Sequence, residues 1–262
     1  MRLVFISYLA NRQAPPNHIG WLMRNPPPVV IKKPLTNNLL AALPPHAYRA
    51  MRSGFEEVQL GFGDILYEPG QEIRHVYFPG GSLVSLLTLV DSHSALEVGM
   101  VGREGMLGVS LTLGSKVSPV RALVQGSGAA LRMTSKRFQR EFKRSRPLQR
   151  GLYTYLNALM AQITQTAACN RFHRIEGRLA RWLLMTSDRV CADKFELTQE
   201  FLSHMLGVRR VGVTEAASAL QKQKLIEYRR GHITILDHAG LEAASCPCYA
   251  LVKDMNDAHQ RA

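Results

Sequence analysis

Apolar and polar positions divide the chain into three textures. Leu39-Leu40-Ala41-Ala42-Leu43 predicts a short helix stopped by Pro44-Pro45, and Ala47 to Phe55 predicts another helical turn or two. From about 56 to 133 the apolar runs are short: Ile65-Leu66-Tyr67, Val76-Tyr77-Phe78, Leu83 to Leu89, and Val120 to Val124. Pro69-Gly70, Pro79-Gly80-Gly81, Gly114, Gly126 and Gly128 punctuate them. Short runs with turn signals at close intervals predict an antiparallel β barrel or sandwich. Helical periodicity takes over at Thr134.

Three helical stretches follow. Ser135 to Arg144 is strongly basic, which fits a solvated helix face or a nucleic-acid contact. Pro147 suits a first helical turn, and Leu152, Leu156, Leu159 and Ile163 behind it are spaced four, three and four. Such a seam over 147–170 fits packing on the chain's own domain and a two-fold dimer helix equally well. Ile175 to Met185 predicts an amphipathic helix with Leu179, Trp182 and Leu183 on one side. Arg171, Arg174, Arg178 and Arg181 run along a flank, for which a solvated face is the simplest reading.

Leu197 to Asp237 is the most informative stretch. Thr198 is the candidate N-cap of a helix reaching Leu206, and Gly207 breaks it. A second helix follows from about Arg209 to Lys222, with Val213, Ala216, Ala217 and Leu220 at i, i+3, i+4 and i+7. Two short β segments around Arg230-Gly231 then predict a hairpin. Helix, glycine turn, helix and hairpin make a winged helix-turn-helix. Its second helix is free to enter a DNA major groove. The outer face carries Arg209, Arg210, Thr214, Ser218 and Gln221, and Thr198 and Gln199 join them as candidate DNA contacts. Gly212 and the absent N-cap side chain at Arg209 are local weaknesses of this helix.

Composition narrows the function. The 262 residues are 46% hydrophobic and 20% charged, a globular balance. Thirty-three Lys and Arg against 20 Asp and Glu give a net charge of +13, which favours an anionic partner such as nucleic acid. Gly-x-Ser-x-Gly, phosphate-loop and histidine–glutamate metal motifs are absent, so no catalytic residue and no enzyme activity is expected. The cysteines are Cys169, Cys191, Cys246 and Cys248. Their spacing matches no zinc ribbon, and neither a metal nor another cofactor is expected. A metal- or thiol-responsive regulator using Cys246 and Cys248, completed by Cys191 or His238, is the alternative class. Residues 1–35, with Pro15-Pro16 and Pro26-Pro27-Pro28, predict an extension without an ordered core, and its short apolar start is a poor signal peptide. No apolar run is long enough to span a bilayer, so the expected setting is cytoplasmic, without a membrane partner.

The order of these textures resembles the cAMP receptor protein and FNR (Crp/Fnr) family of bacterial transcription regulators over about residues 36–245. The matching stretches are Gly63-Asp64-Ile65-Leu66-Tyr67-Glu68-Pro69-Gly70, Gly105-Met106-Leu107-Gly108, Phe172 to Ala180, and Leu197-Thr198-Gln199-Glu200 through Gly207 with Arg210, Leu220, Leu225 and Ile226. The resemblance implies an α+β chain. A cyclic-nucleotide-binding-like jelly-roll barrel, a double-stranded β-helix, spans 36–146. The dimerisation helix is 147–170, the winged helix-turn-helix is 171–245, and 246–262 is a C-terminal tail. It implies a homodimer on double-stranded DNA, with Leu152, Leu156, Leu159 and Ile163 as the dimer seam and RNA polymerase as a further partner of an activator. It places the effector pocket at Gly105, Met106, Leu107, Gly108, Val120 and Arg121, with a cavity beneath Gly105 to Leu113.

The departures are specific. Cyclic-AMP binders of this family hold the ribose with the glutamate of Gly-Glu-Leu, where this chain has Met106. They hold the phosphate with the arginine of Arg-Ser-Ala, where it has Val120. Cyclic AMP is therefore expected to bind weakly or not at all, leaving the effector unknown. A one-residue slip would make Arg121 the phosphate partner of a cyclic-nucleotide regulator. The cysteine group that holds an iron–sulfur cluster in the FNR branch has no counterpart before Cys169.

Overall fold

The computed structural model describes residues 36–90 and 95–261. The expected N-terminal extension lies outside them. α1 (Asn38–Ala41) and α2 (Pro45–Arg52) lead into the β domain. Asn37 docks them: its Oδ1 accepts from the Leu40 amide, and its Nδ2 donates to the carbonyls of Pro79 and Gly105.

Seven strands follow: β1 (Glu56–Leu60), β2 (Ile65–Tyr67), β3 (His75–Pro79), β4 (Leu83–Leu89), β5 (Ala95–Val101), β6 (Arg121–Gly126) and β7 (Gly128–Thr134). They form two antiparallel sheets, ordered β1-β7-β3 and β2-β6-β4-β5. The inner faces share one core containing Val76, Phe78, Val84, Leu86, Val124 and Met133. No ladder joins the sheets edge to edge among the described residues, so the jelly-roll is an open double sheet. The chain changes sheet between β6 and β7. A Cβ on Gly128 would lie 2.2 Å from the Gly81 carbonyl oxygen, so only glycine lets the two backbones meet there.

α3 (Ser135–Arg144) starts at the Thr134 cap and buries Phe138 against the β domain, its charges facing outward or pairing locally, as Arg137 and Arg140 do with Glu141. α4 (Arg146–Phe172) is the long helix, capped by Ser145. α5 (Ile175–Val190), α6 (Gln199–Leu206) and α7 (Arg210–Lys222) build the helical part of the C-terminal domain. β8 (Lys194–Glu196), β9 (Ile226–Arg229) and β10 (His232–Ile235) form its sheet, ordered β8-β10-β9. The expected hairpin is present, widened by β8. Arg230 and Gly231 turn it with φ of 51° and 83°, the double positive φ of a tight two-residue turn.

Two helices complete the chain, α8 (His238–Ala244) and α9 (Cys248–Arg261). The latter replaces the tail expected over 246–262. Tyr249 and Val252 are its buried anchors, and it lies along α4 and α5. None of the described helices is long and apolar enough to cross a membrane.

Candidate nucleic-acid interface

α6 and α7 are assembled as the residue pattern dictates. Thr198 Oγ1 accepts from the Phe201 amide and caps α6. Gly207 ends it in the left-handed region at φ 61°, its amide returning to the His204 carbonyl. Val213, Ala216, Ala217 and Leu220 bury the inner face of α7. Gly212 has a packing reason: an added Cβ would approach Ile175 Cδ1 to 2.9 Å. Arg209 occupies the N-cap of α7 without a side-chain cap bond.

The opposite face of α7 is open to solvent. Arg209, Arg210, Thr214, Ser218 and Gln221 are all exposed, as is Val211. Half-buried Gln199 braces this face from α6. Its Oε1 accepts from Thr214 Oγ1 at 3.1 Å and from Arg210 Nε at 3.4 Å. Of the seven expected contacts, Thr198 is engaged in capping and Gln199 in positioning, while the other five are presented outward.

Sequence reasoning placed the wing but passed over its arginines. Arg229 and Arg230 are exposed at the β9–β10 turn. Tyr228 Oη donates to the Leu197 carbonyl and ties this hairpin to the start of the motif. The signal was readable as two arginines at a tight turn. The arginine flank of α5 is a correction. Arg171 and Arg174 are exposed, but Arg178 and Arg181 are buried. Arg178 donates to Asn170 Oδ1 at 2.7 Å and to the carbonyl of Leu206, the last residue of α6, where a cation complements the helix C-terminus.

The dimer seam also needs correction. Leu152 and Leu159 are packed in the β-domain core, at 1% and 5% exposure, and Ile163 packs at its margin, while Leu156 is half-buried outside it. The exposed side of α4 carries instead Tyr153 and Met160, one heptad apart, and Ala167 a heptad further on. The 4-3-4 spacing was real, and Leu152, Leu159 and Ile163 of it pack on the chain's own β-domain core.

The expected effector segment is apolar and largely buried. Met106, Leu107 and Leu111 are core residues. Gly105 faces the Tyr155 ring so closely that an added Cβ would lie 2.1 Å from it. Gly108 supplies a left-handed turn at φ 92°. Val120 is half-buried beside the same core. Arg121 Nε lies 2.9 Å from Glu68 Oε2, so its charge already has a counterion. Apolar side chains therefore pack beneath Gly105 to Leu113. A cleft of about 340 Å³ opens elsewhere, between α1 and the start of α4, bordered by Leu39, Leu43, Arg146 and Arg150.

The cysteines are distributed otherwise than their sequence positions suggest. Cys191 is exposed at the end of α5, and His238 Nε2 is held 2.8 Å from Asp193 Oδ1. Neither reaches Cys246 and Cys248, which meet Cys169 and His173 at the end of α4.

Comparison with known proteins agrees with this geometry. The family described as the Crp-like helix-turn-helix domain matches residues 177–244. A search of curated proteins finds no match. Among solved structures, a Crp/Fnr-family protein from Eubacterium rectale aligns at 16% identity with a TM-score of 0.62, covering 79% of this chain and 96% of that one. FixK2 from Bradyrhizobium japonicum aligns at 13% identity and TM-score 0.63, covering 73% and 98%. CLP from Xanthomonas campestris, a c-di-GMP-responsive global regulator, aligns at 18% identity and TM-score 0.60, covering 73% and 99%. Residues 177–244 thus form a Crp-like helix-turn-helix domain, and the chain as a whole shares the fold of solved Crp/Fnr-family regulators.

Proposed function

We propose that the protein acts as a homodimer that reads a two-fold DNA site with α7 in the major groove. The exposed face of α7, braced by Gln199, is the observation that carries this reading. Arg210 and Thr214 lie where base edges pass, and Arg209 at the helix start is placed for phosphate. Arg229 and Arg230 extend the cationic surface along the wing. The partner copy sits on the Tyr153–Met160 side of α4, because that side exposes large apolar groups at a heptad interval. Two recognition helices then fall about one DNA turn, roughly 34 Å, apart.

The β domain is a sensor for something other than cyclic AMP. Its cassette presents apolar core side chains where the ribose and phosphate partners would stand, and Arg121 is neutralised by Glu68. An activator of this kind would also touch RNA polymerase. Selection of bound duplexes from a randomised pool, followed by fluorescence anisotropy, tests the docking. Arg210→Ala should cost about 1–3 kcal/mol of specific binding and much less of nonspecific binding. Wild-type affinity in that variant would place the reading face elsewhere.

A further inference from the structure

Cys169 lies in the last turn of α4 and His173 is its C-cap, four residues on. Cys246 and Cys248 flank Pro247 in the link from α8 to α9. Although 77 residues separate Cys169 from Cys246, their sulfurs are 3.4 Å apart. Cys248 Sγ is 3.3 Å from His173 Nδ1. All four donor atoms lie within 4.8 Å of one another, and the three cysteines are buried.

We infer that these four residues bind one zinc ion in a closed Cys₃His site, which fastens the end of α4 to the start of α9. A zinc–thiolate bond of about 2.3 Å sets a tetrahedral edge of about 3.8 Å, and side-chain shifts of up to about 1 Å bring these donors to it. The same closeness argues against an iron–sulfur cluster, which inserts sulfides and further irons between its cysteine ligands and spreads them. Three thiolates and a neutral imidazole fill the four positions of a structural zinc and leave none for a substrate.

The surroundings suit the charge. Zinc with three thiolates is a net anion, and burying it requires cations nearby. Arg178 and Arg181 are buried within electrostatic reach of Cys169, and the Nε of each has no hydrogen-bond partner. Gln165 Nε2 lies 3.0 Å from Cys248 Sγ, a donor oriented at the sulfur. The Cys246 amide donates to the Gly177 carbonyl of α5. The site therefore straddles the junction where α4 ends, α5 begins and α9 docks.

Binding replaces three thiol protons by one zinc ion and involves no oxidant. The full chain, purified without a metal-binding tag and without chelator, should carry about one zinc per protein by inductively coupled plasma mass spectrometry. Cobalt(II) exchanged into the same protein should show the intense visible absorption of a tetrahedral thiolate site. Cys169→Ser and Cys248→Ser should lose the metal, whereas His173→Cys, which keeps four ligands, should retain it while His173→Ala binds it less tightly. Metal-free wild-type protein that develops no cobalt spectrum would overturn the assignment. So would a Cys169–Cys246 disulfide in the purified chain, or the absorption of an iron–sulfur cluster. These readouts on the wild-type chain stand even if a serine variant fails to fold.

Discussion

Glu97 is a carboxyl group set where the β domain meets α5. It is 6% exposed, its Oε1 accepts from Trp182 Nε1 at 2.9 Å, and its Oε2 lies 2.6 Å from Ser85 Oγ. Ser85 Oγ also lies 2.5 Å from Gln125 Oε1. One hydroxyl proton cannot serve both oxygens. With Gln125 Nε2 turned to Thr186, a protonated Glu97 solves the arrangement. It donates to Ser85, and Ser85 donates to Gln125. Burial, opposed by the Ser85 and Trp182 hydrogen bonds, pushes this carboxyl from 4.5 up to about 7. The folded value lies above the unfolded one, so the stabilisation is complete below about pH 4.5 and is lost as pH rises through about 7. Glu97→Gln keeps both hydrogen bonds and never ionises. Urea unfolding of the wild type should lose about 2–3 kcal/mol between about pH 5 and pH 8, a loss absent from Glu97→Gln. Parallel pH profiles for the two proteins would show Glu97 to be ionised throughout.

α4 shows how one helix can be legible in position and ambiguous in orientation. Its start at Pro147 and its apolar period are plain in the sequence, but a 3.6-residue repeat says only that one side is covered. Burial resolves it: Leu152 and Leu159 face the strands, Tyr153 and Met160 face outward. Tyr153→Asp with Met160→Asp should therefore give a folded monomer in sedimentation, with far-ultraviolet circular dichroism unchanged. Leu152→Asp should instead unfold the β domain, because it buries an unpaired carboxylate at a cost of several kcal/mol, on the order of 3 or more. A double variant that remains dimeric would move the interface off α4. The helix-turn-helix was more fully legible, because its glycine turn, its Thr198 cap and its small inner residues all specify the same structure. α9 was not. Among the described residues Cys248, Tyr249 and Val252 are its buried side chains, set among many polar positions, and the residues beneath it come from α4 and α5, far away in sequence. The arginines of α5 were misread for a related reason: Arg178 and Arg181 look like a solvated stripe until α6 and α4 are brought over them.

At the scale of the whole molecule, α5 decides how many folding units there are. Every residue from Arg178 to Ser187 is buried, and a helix covered on all sides needs bodies on all sides. One body is α6, α7 and the wing. The other includes the outer face of the β2-β6-β4-β5 sheet, since Leu83, Leu87, Met100 and Leu123 share a single core with Leu179, Trp182, Leu183 and Phe201. Polar links cross the same boundary, Trp182 to Glu97, Gln125 to Thr186, and Arg189 to Glu104, the last a buried ion pair at 2.8 Å. A boundary near residue 171, natural from the sequence pattern, therefore cuts through a core. Residues 171–262 expressed alone should expose the sheet-facing side of α5 and strand Arg189 without its carboxylate. That fragment should bind a hydrophobic dye and show weak near-ultraviolet circular dichroism, whereas the full chain should unfold in one transition followed alike by both probes. A fragment as rigid as the parent, or a full chain unfolding in two separated steps, would show that the DNA-binding domain stands without the β sheet. Because α7 packs on α5, the same shared core ties α7 to the outer face of the β2-β6-β4-β5 sheet.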